Sequence, residues 1–136
     1  MRQVVFTEFF IFSAHKKGLS VNENHKRSRE LWNVLTDLGV NFVNVGGCYK
    51  DNKQQSIMLL DGNEETVKEL CGLYDQESYL HRSADNSVLL KMLEGEIIEL
   101  GEPLVITQNE LNDFESYTIL PQKNGTNLYF TFKKVQ

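Results

Sequence analysis

Only two stretches of this chain carry helical periodicity, and each lies between runs that read as strands. Leu31, Val34, Leu35 and Leu38, with Gly39 at the stop, have the spacing of one helix face. Ser20, Asn22 and Asn24 are alternative N-caps for this helix. Val67, Leu70, Cys71 and Tyr74 repeat the spacing behind Asn63, a good cap, with Glu64 and Glu65 placed to favour the helix dipole. Val4 to Phe12 is rich in β-branched and aromatic residues and predicts a first strand, broken by Gly18. Val40 to Val45 alternates as a half-buried strand does, and Gly46-Gly47 is expected to end it. Ser56 to Leu60 is expected as a third strand after a polar turn at Lys50 to Lys53. Ser78 to His81 and Ser87 to Met92 read as a hairpin around Ala84-Asp85-Asn86. The order β-α-β-β-α-β-β predicts the α+β class: a two-layer, mostly antiparallel sheet with two helices packed on one face.

Beyond Met92 the helical signal fades. Gly95 and Gly101 bracket one short strand-like run, Pro103 starts another, and Asn109 to Phe114 is long enough for a helical turn or two. Ser116 to Leu120 and Asn127 to Val135 read as a C-terminal β-hairpin extension joined through Pro121 to Gly125. These residues are expected to extend the sheet, so that 1–136 form a single domain.

Composition excludes several classes. A length of 136 residues suffices for a core without staples. Cys48 and Cys71 supply neither a disulfide framework nor metal-ligand spacing, and reduced thiols in a cytoplasmic protein are expected. No membrane span and no signal peptide are read from the sequence. A net charge of −5 argues against a nucleic-acid partner and is compatible with a cationic small ligand. His15, Lys16, Lys17, Lys26, Arg27 and Arg29 form the one basic grouping, which reads as a solvated rim. The chain has no Gly-rich phosphate loop and no HExxH, CxxC or GxSxG motif. With histidines only at 15, 25 and 81, no metal site is expected. A catalytic Cys48–His15 pair is the sharper reading of those residues; a small buried cysteine is the one favoured.

Three polar segments interrupt this pattern: Ser13-Ala14-His15, Asn24-His25-Lys26-Arg27 and Gly46-Gly47-Cys48-Tyr49. A strand end, a helix start and a glycine turn are places where backbone groups stay free for a ligand. Read together, Phe10 to His15, Asn24-x-x-Arg27 with Leu31 a turn later, and Gly47-Cys48-Tyr49 resemble the phage-encoded S-adenosylmethionine lyases, formerly called S-adenosylmethionine hydrolases. The resemblance runs from about Phe9 to Met92 and more weakly into Phe114 to Leu120.

What the resemblance implies is cleavage of S-adenosylmethionine to methylthioadenosine and homoserine lactone. The substrate's own carboxylate performs the displacement, with no cofactor. It further implies a homotrimer with sites between subunits, a host-cell cytoplasmic location, and a counter-defence role against restriction-type systems. Residue by residue, it makes Tyr49 the tyrosine that orients the amino-acid end, the alternative being simple packing. Ser13, Ala14, His15, Gly47 and Cys48 fall at the ligand edge. Asn24 and Arg27 become a cap and a structural or intersubunit clamp, with an exposed charge as the other reading of Arg27.

The family's ammonium-binding glutamate falls at Gln54-Gln55, with Gln55 preferred. An amide there keeps a hydrogen-bond acceptor and loses the charge-assisted part. The alternative function is therefore a catalytically weak or inactive relative that binds S-adenosylmethionine or a host protein such as S-adenosylmethionine synthase.

Overall fold

The computed structural model describes residues 8–49, 52–60, 63–83, 87–101, 103–114, 116–122 and 124–132, and the backbone alone at 48, 49, 52–54, 116 and 132. The elements are β1 (Phe9–Phe12), α1 (Val21–Leu38), β2 (Phe42–Tyr49), β3 (Asn52–Leu59), α2 (Glu64–Leu73), β4 (Ser78–Arg82), β5 (Val88–Met92), β6 (Ile97–Gly101), β7 (Pro103–Ile106), a 3₁₀ helix (Gln108–Asp113), β8 (Ser116–Pro121) and β9 (Asn127–Phe132). They form an α+β fold around one antiparallel sheet in the order β6-β5-β4-β1-β3-β2-β8-β9-β7.

β1 lies inside the sheet, between β3 and β4, and both its faces are covered. That explains a run in which Phe9, Phe10, Ile11 and Phe12 are all buried. Phe10 and Phe12 join Leu31 and Leu35 of α1, Val67, Leu70 and Cys71 of α2, and Ile57 and Leu59 of β3 in one cluster. Phe9 and Ile11 belong to a second cluster with Val45, Met58 and Phe130. Phe130 is fully buried although β9 lies one strand from the sheet edge. A flat sheet would leave that face open, so the sheet curls over itself away from the helices.

The helices follow their local signals. Ser20, rather than Asn22 or Asn24, caps α1, its side chain accepting from the Glu23 amide. Gly39 ends it in the left-handed conformation, φ 72°, at no steric cost. Leu38 departs from the expected stripe and is exposed, whereas Leu31 and Leu35 are fully buried. Each such leucine contributes about 1.5–3 kcal/mol. Asn63 caps α2 by accepting from the Thr66 amide at 2.9 Å.

The strands depart further. Residues 4–7 of the expected first strand lie outside the described residues, as do Ala84-Asp85-Asn86 and, in the expected polar turn, Lys50 and Asp51. Gly46-Gly47 does not end β2: the ladder continues through Gly46↔Gln55, Gly47↔Gln54 and Cys48↔Lys53 to Tyr49↔Asn52. β3 accordingly begins at Asn52, not Ser56. On its other side the same stretch of β2 pairs with β8, Gly46↔Ile119 through Tyr49↔Ser116. The glycines are therefore not a turn with free backbone groups but the crowded middle of the sheet. A Cβ on Gly47 would stand 3.2 Å from the Tyr117 carbonyl oxygen, which explains a glycine in mid-strand.

Candidate functional site

At Ser13 the first strand runs out and side chains take over from the ladder. Ser13 Oγ donates to the Gln55 carbonyl at 2.7 Å and accepts from the His15 amide at 2.9 Å. One buried hydroxyl thus fastens the end of β1 to β3 and turns the chain away. The next residues are held from α1. Arg27 Nε donates to the Ala14 carbonyl at 2.6 Å, and Arg27 Nη2 donates to the Tyr74 carbonyl. The guanidinium also lies 5.4 Å from the centroid of the Tyr74 ring. Asn24 Oδ1 accepts from the Lys16 amide at 2.8 Å, and its Nδ2 donates to the Lys16 carbonyl at 3.3 Å. Asn24 and Arg27 therefore spend their polar groups on the chain itself, bracing Ala14 to Lys16.

His15 is the exception in this braced segment. Its Nε2 is buried and has no hydrogen-bond partner among the described residues. Burial pushes the imidazole below its ordinary pKa of 6.5, and His25 and Arg27 nearby push it the same way. The neutral ring is favoured, first because burial strips the imidazolium of water and then because His25 and Arg27 are close by. Lys16 Nζ pairs with Asp75 at 3.2 Å, but both groups are well exposed and the pair adds little.

Gln55 stands opposite Gly46 and is exposed, while its carbonyl holds Ser13. The fold thus uses the main chain at Gln55 and leaves the side chain to solvent. Tyr49 lies on the same hairpin, three register positions away, or about 10 Å along the strand. The side chains of Cys48, Tyr49 and Gln54 are outside the described residues. The structure thus brings Ser13, Ala14, His15, Asn24, Arg27 and the Gln55 backbone together at one sheet end, with Gly46 and Gly47 paired beside them. Gln76 belongs to the same group and was not anticipated: its Nε2 donates to the His15 carbonyl at 2.8 Å and to the Tyr74 carbonyl at 3.2 Å.

A second cluster of partly buried polar side chains lies at the other end of α2. Glu64 accepts from Lys91 at 2.7 Å and from the Tyr79 hydroxyl at 2.5 Å, while His81 Nε2 stands 3.1 Å from Glu8. Burial would raise the Glu64 carboxyl, but the Lys91 and Tyr79 contacts outweigh it and hold the group below its ordinary value. Burial and the Glu64 contact push the Tyr79 phenol well up. Cys71 is a free, buried thiol, pushed up to about 12 by burial, and so is inert packing. No group of metal-binding side chains occurs among the described residues, and no described helix is long and apolar enough to cross a membrane.

The site is a braced strand end beside a hairpin, with the buried Ser13 hydroxyl engaged by the main chain on both sides. Such a site is suited to binding and orienting a small ligand. The S-Adenosylmethionine lyase family model matches residues 10–130. The chain belongs to that family, whose name assigns it lyase activity on S-adenosylmethionine. No curated protein matches the chain.

Proposed function

We propose that the protein cleaves S-adenosylmethionine by intramolecular displacement, at the site formed by the end of β1, the start of α1 and the β2–β3 hairpin. A substrate carboxylate oxygen forms a C–O bond to the carbon bearing the sulfonium as the C–S bond breaks. The bonding pair passes to sulfur, leaving neutral methylthioadenosine and homoserine lactone. No water enters and no proton need move. Carboxylate and sulfonium charges cancel along the path, so a site that excludes water and folds the substrate on itself favours the reaction. The protein's task is to grip and bend its substrate.

In this reading Ser13, Ala14 and His15 present the ligand edge, held by Asn24 and Arg27. Tyr49, with Gly47 and Cys48, orients the amino-acid end, and the Gln55 amide oxygen, with Gln54 beside it, accepts from the substrate ammonium. No cofactor or metal takes part. The observation that carries the proposal is the family match over residues 10–130. Its local support is two hydrogen bonds on successive residues, from Ser13 to the Gln55 carbonyl and from Arg27 to the Ala14 carbonyl.

A homotrimer with sites between subunits completes the proposal. The edges of the described sheet, β6 and β7, carry exposed apolar pairs, Ile97-Ile98 and Leu104-Val105. Unlike edges that pair head to tail form a ring where the rotation between subunits closes, and covering them removes an aggregation hazard. The biological role proposed is phage counter-defence in the host cytoplasm, by removing the cofactor of restriction-type methylation.

A second reading is favoured by Gln54-Gln55, where a carboxylate would be expected. The protein would then bind S-adenosylmethionine, or a host protein such as S-adenosylmethionine synthase, without turnover. Incubation with S-adenosylmethionine, followed by chromatography with mass detection, separates the two. Methylthioadenosine with homoserine lactone, formed faster than without protein, is the expected result. Intact substrate retained by the protein selects the second reading, and intact substrate left free overturns both.

A further inference from the structure

We infer that Gln76 is a positioning residue for the substrate, holding the Ser13–Lys16 segment in its binding conformation from the far end of α2. The inference rests on the reading of that segment as the ligand edge. Its physical basis is the way α2 ends. The Gln76 amide donates to the Cys71 carbonyl at 2.8 Å and the Asp75 amide to the Gly72 carbonyl at 3.3 Å, with Asp75 in the left-handed conformation, φ 56°. This is a Schellman ending, in which the residue at the Gln76 position commonly supplies an apolar contact back to the helix. Here it is an amide, and its backbone is locked by the motif, which fixes where the side chain starts.

From that anchor Gln76 Nε2 reaches both the Tyr74 and the His15 carbonyls. Arg27 makes the matching bridge, from the same Tyr74 carbonyl to the Ala14 carbonyl. Two side chains thus each join the end of α2 to one of two successive carbonyls of the segment. α2 has no basic residue in its last turn, so these outside donors also satisfy its terminal carbonyl. With the Ala14 and His15 carbonyls drawn to α2 and the His15 amide drawn to Ser13, the His15 main chain has little freedom left. Its imidazole, unpartnered at Nε2 among the described residues, is the group so presented.

The test uses Gln76→Met, which keeps the volume and loses the donors, and Gln76→Glu, which keeps the shape and replaces the donor with an acceptor. Both leave the main-chain Schellman bonds intact. Titration calorimetry with S-adenosylmethionine and initial rates of methylthioadenosine release are measured beside the His15 ring signals by NMR. Losing one hydrogen bond to a half-buried carbonyl predicts roughly tenfold weaker binding or slower kcat/KM. The His15 titration midpoint should also rise toward 6.5 as the segment loosens and the ring hydrates. Wild-type affinity and rate retained within twofold in both variants overturn the inference and leave the proposed function standing. Weakened binding with an unmoved His15 signal also overturns it, because Gln76 would then act by another route. A wild-type protein that neither binds nor cleaves the substrate removes the proposed function itself, and the inference with it.

Discussion

Replacing Gln55 by glutamate should raise the rate of S-adenosylmethionine cleavage without a cost in stability. The fold holds Gln55 through its carbonyl, which accepts from Ser13 Oγ at 2.7 Å, while the side chain is exposed opposite a glycine. A carboxylate can therefore replace the amide without breaking a described contact. The substrate ammonium is charged in either case, so the substitution turns a hydrogen bond with one charged member into an ion pair, and exposed ion pairs add about 0.2–1 kcal/mol. The gain is at most about 1 kcal/mol, and smaller if the site stays open to solvent. At 1.4 kcal/mol per factor of ten, this is a gain of up to about fivefold in kcat/KM.

Rates would be read as methylthioadenosine release, with thermal unfolding followed in parallel. Gln54→Glu is the necessary companion, since Gln54 is one residue away and pairs with Gly47. If neither substitution accelerates the reaction, the assignment of the ammonium-binding position fails. Asp51 then becomes the test, because Lys50 and Asp51 alone separate Tyr49 from Asn52 in the sequence. Loss of turnover in Asp51→Asn would move the negative charge from β3 to that connection.

Arg27→Met should destabilise the protein by about 2–3 kcal/mol in urea unfolding, because it strips the Ala14 carbonyl of its described donor and the Tyr74 carbonyl of one; a loss under 0.5 kcal/mol would show that the bridge is not structural. Gly47→Ala should cost about 1 kcal/mol or more, since the new Cβ meets the Tyr117 carbonyl oxygen at 3.2 Å. Gly46→Ala, whose Cβ meets Ile119 at an ordinary 3.6 Å, should be neutral or slightly stabilising, and equal effects in calorimetry would contradict this account. The His15 pKa is lowered by folding, so the unfolded chain binds the proton more tightly. Stability should then fall as pH drops from 6.5 through the folded value, and His15→Gln should flatten that limb. Glu64 also has a lowered folded pKa. Its contribution is present above 4.5 and is lost as pH falls through the folded value, so Lys91→Met should weaken stability at pH 6 more than at pH 3.

What could be read from the sequence is what short-range chemistry decides. The α1 stripe with its Gly39 stop and the Asn63 cap of α2 are each complete within one helix, and apart from the exposed Leu38 each is where the sequence places it. The extent of β2 is different. Glycines after an alternating run are the ordinary sign of a turn, yet Gly46 and Gly47 stay in the sheet, paired with β3 on one side and on the other with β8, some seventy residues later. Local pattern holds no trace of that pairing, because what it demands of Gly47 is only a missing Cβ. The same limit applies within the candidate site. Ser13, Asn24 and Arg27 stood out because they interrupt apolar or helical runs.

Gln76 interrupts nothing. Its signal was indirect: a helix with no basic residue in its last turn and Asp75, not glycine, after Tyr74 needs donors from elsewhere for the Tyr74 carbonyl, which its own terminal amides do not reach. The helix could have taken them from solvent. It takes them instead from Arg27 and Gln76, whose other hydrogen bonds go to the Ala14 and His15 carbonyls. Ending α2 and shaping the Ser13–Lys16 segment are therefore one task performed by the same two side chains. A substitution that loosens the ligand edge should for this reason also fray the end of α2, and the Tyr74 and Gln76 amides in hydrogen exchange are where both effects would be read. If Arg27→Met speeds exchange at Tyr74 and Gln76 but leaves the His15 and Lys16 amides as protected as before, the two ends are not coupled, and the braced segment owes its shape to Ser13 and Asn24 alone.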